Sequence, residues 1–159
     1  SKTVPDVIYP KIGNDQDDRY CAAAGDDLSE NVVLKRGSHL ESSTNDFSKW
    51  KKNSAMYKYS LKYLKKGARI SVYGRTMNPK VKNDIAELQK HGLKAYLSGI
   101  ITDEHWTIVD KPKQLWGEAV HWDHHAYGRM FTKKPSKDIY NAVKALYRDI
   151  KYSRKPVRA

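Results

Sequence analysis

Segments that read as strands alternate with segments that read as helices, and this alternation limits the fold more than any other feature of the chain. The sharpest signals run from Asn78 to Gly92. Asn78 is a helix cap, Pro79 takes the first helical position, Val81, Ile85 and Leu88 recur at helical spacing, and Gly92 is the stop. Ser48 predicts the N-cap of an earlier helix through Lys66, with Tyr57, Leu61 and Leu64 recurring and Gly67 ending it. Each glycine is followed by an apolar, strand-like run, over residues 68–73 and 93–97. Upstream, residues 31–35 predict a first strand, Gly37 to His39 a break, and residues 41–46 a polar loop. Downstream, residues 106–109 predict a strand, 111–113 a turn, 114–120 the returning strand and 121–128 irregular chain. Pro135 and Ser136 open a last helix with Ile139, Val143, Leu146, Tyr147 and Ile150 on one face. Crossovers of this kind imply an α/β fold: a mixed, largely parallel β-sheet flanked by helices.

At 159 residues the chain fits a single core-bearing domain. Its charge is uneven. Residues 1–47 hold five Lys/Arg against nine Asp/Glu, while residues 48–159 hold 25 against nine. Residues 1–30, with the acidic runs around Asp17 and Asp26, read as a flexible N-terminal arm in which residues 7–9 could form a short strand. Residues 31–159 read as one α/β domain with a basic tail of Lys151, Arg154, Lys155 and Arg158. A surplus of one sign repels itself and implies a polyanionic partner. The segment expected to be helical, 48–66, carries Lys49, Lys51, Lys52, Lys58, Lys62, Lys65 and Lys66 and no acid, so it forgoes every stabilising i,i+4 ion pair. Arg69, Arg75, Lys80 and Lys82 follow, and Trp50 sits among the lysines as a candidate for stacking on a base. Lysines neutralise phosphates without reading bases, so the expected partner is nucleic acid, DNA before RNA, bound without sequence preference.

Four histidines fall close together: His105, His121, His124 and His125. A catalytic reading would use His105 or His121 with Asp110 as orienting partner. A metal reading would use His121, His124 and His125, but the segment lacks the Glu of the H-E-x-x-H pattern, and no cofactor is expected. Cys21 is the lone cysteine and cannot form an internal bridge. No apolar run reaches membrane-spanning length and no leader pattern is present, so the expectation is no membrane partner and a cytoplasmic or nucleoid-associated location.

The segments K-Y-L-K-K-G-A-R-I-S-V-Y (62–73), H-G-L-K-A-Y-L (91–97) and D-E-H-W-T-I-V-D-K-P-K-Q-L-W-G-E (103–118) resemble one half of the phospholipase D-like fold. That family carries H-x-K, four residues, then D. The resemblance implies a histidine nucleophile, a phosphate-holding lysine and a site built from two halves. Counting back from Asp110, Asp103 stands at the nucleophile's position and His105 at the lysine's. A carboxylate there repels a phosphodiester. The resemblance therefore implies an inactive relative that keeps a phosphate-binding surface, with a homodimer favoured by the two-half architecture. The alternatives are a phosphodiesterase or nuclease of this type, and a viral or mobile-element structural protein.

Overall fold

The computed structural model describes residues 7–9, 18–124 and 128–158. Its strands are β1 (Val7–Tyr9), β2 (His39–Thr44), β3 (Arg69–Gly74), β4 (Lys94–Leu97), β5 (Glu104–Asp110), β6 (Ala119–His124), β7 (Gly128–Lys133) and β8 (Lys155–Pro156). Its α-helices are α1 (Asp18–Asn31), α2 (Ala55–Lys65), α3 (Lys82–Lys90) and α4 (Lys137–Ser153). The strands form one sheet in the order β1-β7-β6-β5-β2-β3-β4-β8.

The mixed α/β architecture expected from the sequence is the one observed, but the sheet is less parallel than expected. Among the described residues only β2–β3 and β3–β4 pair in parallel. Helical crossovers through α2 and α3 enforce this. Beyond β4 the chain turns back in hairpins, so β5, β6 and β7 pair antiparallel, as do β1, β8 and the β2–β5 junction.

Local chemistry sets the helix boundaries. Gly67 (φ 90°) and Gly92 (φ 107°) adopt the left-handed conformation that ends α2 and α3. The Asn78 side chain accepts from the Lys80 amide at 3.0 Å, and Pro79 opens a short 3₁₀ turn into α3. Ser136 caps α4 by accepting from the Ile139 amide. The helix expected over 48–66 is split. Ser48 to Trp50 make a 3₁₀ turn, Asn53 takes a left-handed φ of 68°, and Ser54 is the true cap of α2, accepting from the Tyr57 amide at 3.1 Å.

Three sequence expectations are corrected. The strand after α1 is β2, not residues 31–35, so the stretch read as a polar loop is a central, buried strand, while residues 7–9 form β1 as expected. Part of the expected N-terminal arm is α1, whose Leu28 is fully buried; Ala22, Ala23 and Ala24 supply the helix propensity that the acids masked. Of the first acidic run, residues 15–18, the first three lie outside the described residues and Asp18 begins α1. The irregular stretch after residue 120 is largely β6 and the start of β7.

Alternation along the strands divides the core in two. One sheet face turns Leu40, Ile70, Val72, Ala95, Val109, Ala119 and Phe131 against Leu28, Tyr59, Leu64, Ile85 and Leu88 of α1, α2 and α3. The other turns Tyr73, Ile108 and Val120 against Val143, Tyr147 and Ile150 of α4. Gly74 has no side chain because Phe47 lies where its Cβ would be. Gly74→Ala is expected to destabilise the fold by about 1–3 kcal/mol through overpacking, read as a lower midpoint in urea denaturation.

Candidate nucleic-acid interface and the polar centre of the sheet

The lysines of α2 follow from its amphipathicity. Met56, Tyr57, Tyr59, Ser60, Tyr63 and Leu64 are buried. This leaves Lys58, Lys62 and Lys65 exposed at i, i+4 and i+7 on the outer side. At 1.5 Å per residue the helix spans roughly 16 Å. The Lys62 and Lys66 ammonium groups lie 5.1 and 5.5 Å from the centre of the Tyr63 ring.

The remaining predicted cations do not form one patch with these. Lys51, Lys52, Arg75, Lys80 and Lys82 are exposed in the connections that follow β2 and β3, and Lys49 is half-buried there. Lys66 and Arg69 are exposed at the opposite end, where β3 begins. The α2 stripe joins the two groups. Trp50 is corrected: it is fully buried and its indole N–H donates to Ser60 Oγ at 3.0 Å, so it anchors the 3₁₀ turn to α2 and offers no face to a base.

The catalytic pairing is also corrected. His105 and Asp110 are five apart on β5 and so face opposite sides of the sheet. His105 shares its face with Thr107, which stands opposite His121 on β6. Thr107 Oγ1 is 2.6 Å from Ser42 Oγ, and His121 Nδ1 is 3.2 Å from Asp27 Oδ2 of α1, all buried. Asp110, on the α4 side, is 3.3 Å from Lys144. Asp103 is exposed ahead of β5. For the metal reading, His121 is hydrogen-bonded to Asp27, while the side chain of His124 and all of His125 lie outside the described residues. Among the described residues no group of three or more His, Cys, Asp or Glu is placed to hold a metal, and no helix is long and apolar enough to cross a membrane.

The centre of the molecule was not foreseen. Glu41, mid-strand in β2, is 1% exposed. Its carboxylate lies 3.1 Å from Lys144 Nζ and 2.9 Å from Lys151 Nζ, and accepts from the Tyr73 hydroxyl at 2.9 Å. Burial alone would raise its pKa. The Lys151 hydrogen bond and the charges of Lys144, His39 and Lys151 outweigh that and hold it at about 2. Burial, with the charges of Arg69, Lys144 and Lys151, holds the His39 imidazole below its usual value in spite of Glu41. Tyr147 donates to the Glu41 carbonyl at 3.0 Å and also bonds the Trp106 carbonyl. The signal lay in α4. Lys144 and Lys151 are seven apart, on the flank of the helix that also buries Val143, Tyr147 and Ile150.

This architecture is α/β with a phospholipase D-like arrangement of strands and helices. Among solved structures it is similar to a polyphosphate kinase from Porphyromonas gingivalis, an enzyme of the phospholipase D superfamily, with a TM-score of 0.62 at 13% identity. The match covers 99% of this chain but only 27% of that one, so it shows the fold and nothing of the larger enzyme's activity. No family model matches the chain, and no curated protein sequence does.

Because the folded pKa of Glu41 lies below its ordinary 4.5, its contribution to stability is complete above that value and is lost as pH falls from about 4.5 to about 2. Glu41→Gln should remove most of that pH dependence and cost about 3 kcal/mol at neutral pH, because the half-buried Lys151 loses its counter-charge and Lys144 keeps only Asp110. Urea denaturation at pH 7 and across the acid limb reads both effects.

Proposed function

We propose that this protein binds nucleic acid through the phosphate backbone, without base preference and without catalysis. One observation carries the reading: Lys58, Lys62 and Lys65 are exposed in a line on α2, a helix that bears no acid. Lys66 extends the line at one end, and Lys51, Lys52, Arg75, Lys80 and Lys82 lie beyond the other, while Arg69 projects from the opposite face of the sheet. Spacings of one helical turn match a run of phosphates, and lysine ammonium groups engage them as point charges. The same phospholipase D-like architecture supports a homodimer, since the family builds its site from two halves; static light scattering tests it.

A phosphodiesterase reading rests on His105 and His121, which share one face of the sheet. Both are buried, with α1 contributing Asp27 over His121, so a phosphodiester would reach them only if α1 moved away. Metal-dependent cleavage of plasmid that disappears in His105→Ala would replace the binding reading with the enzymatic one. The third reading, a structural protein whose basic surface serves assembly, predicts association without nucleic acid in the same scattering measurement. Polyphosphate, the polymer for which the similar kinase is named, belongs in the experiment as a competitor.

Binding of fluorescent DNA is expected to weaken steeply with salt, the logarithmic slope being about −0.9 per phosphate neutralised. The triple change Lys58→Glu, Lys62→Glu, Lys65→Glu should shallow that slope by about 2–3 and lower affinity at least 100-fold at low salt. An unchanged slope would remove α2 from the interface.

A further inference from the structure

Parallel strands are ordinarily covered on both faces. Here α1, α2 and α3 cover one face, but among the described residues no helix covers the beginnings of β3 and β4 on the α4 side. The register lines up what stands there. His39 lies beside Arg69; Glu41, Ser71 and Lys94 form the next row; Tyr73 and Tyr96 form the row above. All project from the same face. The last turn of α4 and its cap supply Lys151 and Arg154 as a side wall, and the result is a hollow of about 420 Å³. That volume is within the range of small-molecule sites.

The electrostatics of this hollow are one-sided. Among its described lining residues Glu41 is the one acid, and it is already bound to Lys144 and Lys151. Arg154 stacks on the Tyr96 ring at 4.4 Å, and Tyr96 stacks in turn on Tyr73 at 5.3 Å, so the guanidinium is held at the wall by an aromatic pair. Helices α2 and α3 end at this rim. The negative ends of their dipoles favour nearby cations, which accounts for Lys65, Lys66 and Lys90. Arg69 and Lys94 stand on strands beyond those turns, and line the hollow.

We propose that this hollow is a phosphoryl-binding site, separate from the α2 stripe. Arg69, Lys94 and Arg154 supply the positive charge, and the Ser71 hydroxyl and His39 imidazole, 3.0 Å apart, supply polar contacts at the floor. The ligand is a compact group of two or more negative charges, such as a pyrophosphate or a terminal phosphomonoester. Guanidinium and ammonium groups on one concave wall fit that geometry better than they fit a flat diester backbone. The group could be free or could be the 5′ end of a strand.

Isothermal titration with inorganic pyrophosphate tests the site directly, with the double variant Lys94→Ala, Arg154→Ala as comparison. Binding in the wild-type protein, weakened at least tenfold in the variant, is the expected result. Absence of binding at millimolar pyrophosphate, or equal binding by both proteins, would overturn the proposal. NMR of the wild-type protein guards against a variant that fails to fold: pyrophosphate should move the ring signals of His39 and His91, and unmoved signals count against the site. Comparing 5′-phosphorylated with 5′-hydroxyl oligonucleotides separates the sources. A preference for the phosphorylated strand that the double variant loses assigns the site to strand ends; pyrophosphate binding without that preference assigns it to a free anion. Duplex DNA binding through α2 should change less than twofold in the variant. A protein that binds pyrophosphate but no polymer would keep this site and lose the proposed function.

Discussion

A carboxylate with 1% exposure sits in the middle of this sheet, and the arrangement of the α4 side depends on how it is neutralised. Desolvating Glu41 alone is unfavourable by several kcal/mol. Two lysines from one helix reverse that, and a tyrosine hydroxyl fills a further acceptor site. Such a cluster requires close agreement between elements. Lys144 must also reach Asp110 on β5, and Tyr147 must reach the backbone of both β2 and β5. The charge cluster fixes the axial position of α4, while the apolar contacts of Val143, Tyr147 and Ile150 hold it against the sheet. With α4 held over β2 and β5, the starts of β3 and β4 lie beyond its cover.

The other face is organised by apolar packing and places its charges differently. Helix α1 packs beside α2, close enough that a Cβ at Gly25 would meet Ala55 at 2.6 Å. The exposed acids Asp26 and Glu30 thus stand on the helix packed beside the one that carries Lys58, Lys62 and Lys65. Part of the acidity that in the sequence looked like a tail therefore belongs to a helix packed against the domain.

What was legible in the sequence had local causes. Gly67 and Gly92 end helices because only a residue without a side chain adopts their φ without strain, and Asn78, Pro79 and Ser136 act within their own turns. The phospholipase D-like arrangement was legible from such segments. β2 was not, because its hydroxyls and carboxylate are satisfied by residues far away in the chain: Ser42 by Thr107, His39 by Ser71, Glu41 by α4. A polar strand of this kind carries no apolar alternation to read. Trp50 misled for the opposite reason. Its lysine neighbours point outward from a short turn while the indole points in, toward Ser60. The opposition of His105 and Asp110 was readable, since an odd separation within one strand always divides two side chains between its faces.

The lysines that complete the central charge cluster lie far downstream: Lys144 is 103 residues beyond Glu41. The N-terminal strand β1 reaches further still along the chain, since Val7 pairs with Phe131. The parallel unit of β2, β3 and β4 with α2 and α3 precedes α4 in the chain and carries on β2 a charge for which it supplies neither Lys144 nor Lys151. Closure of such distant contacts is slow. Without α4, burying the Glu41 carboxylate in the sheet is unfavourable, so the docking of this distant helix is what lets β2 close over its own charge.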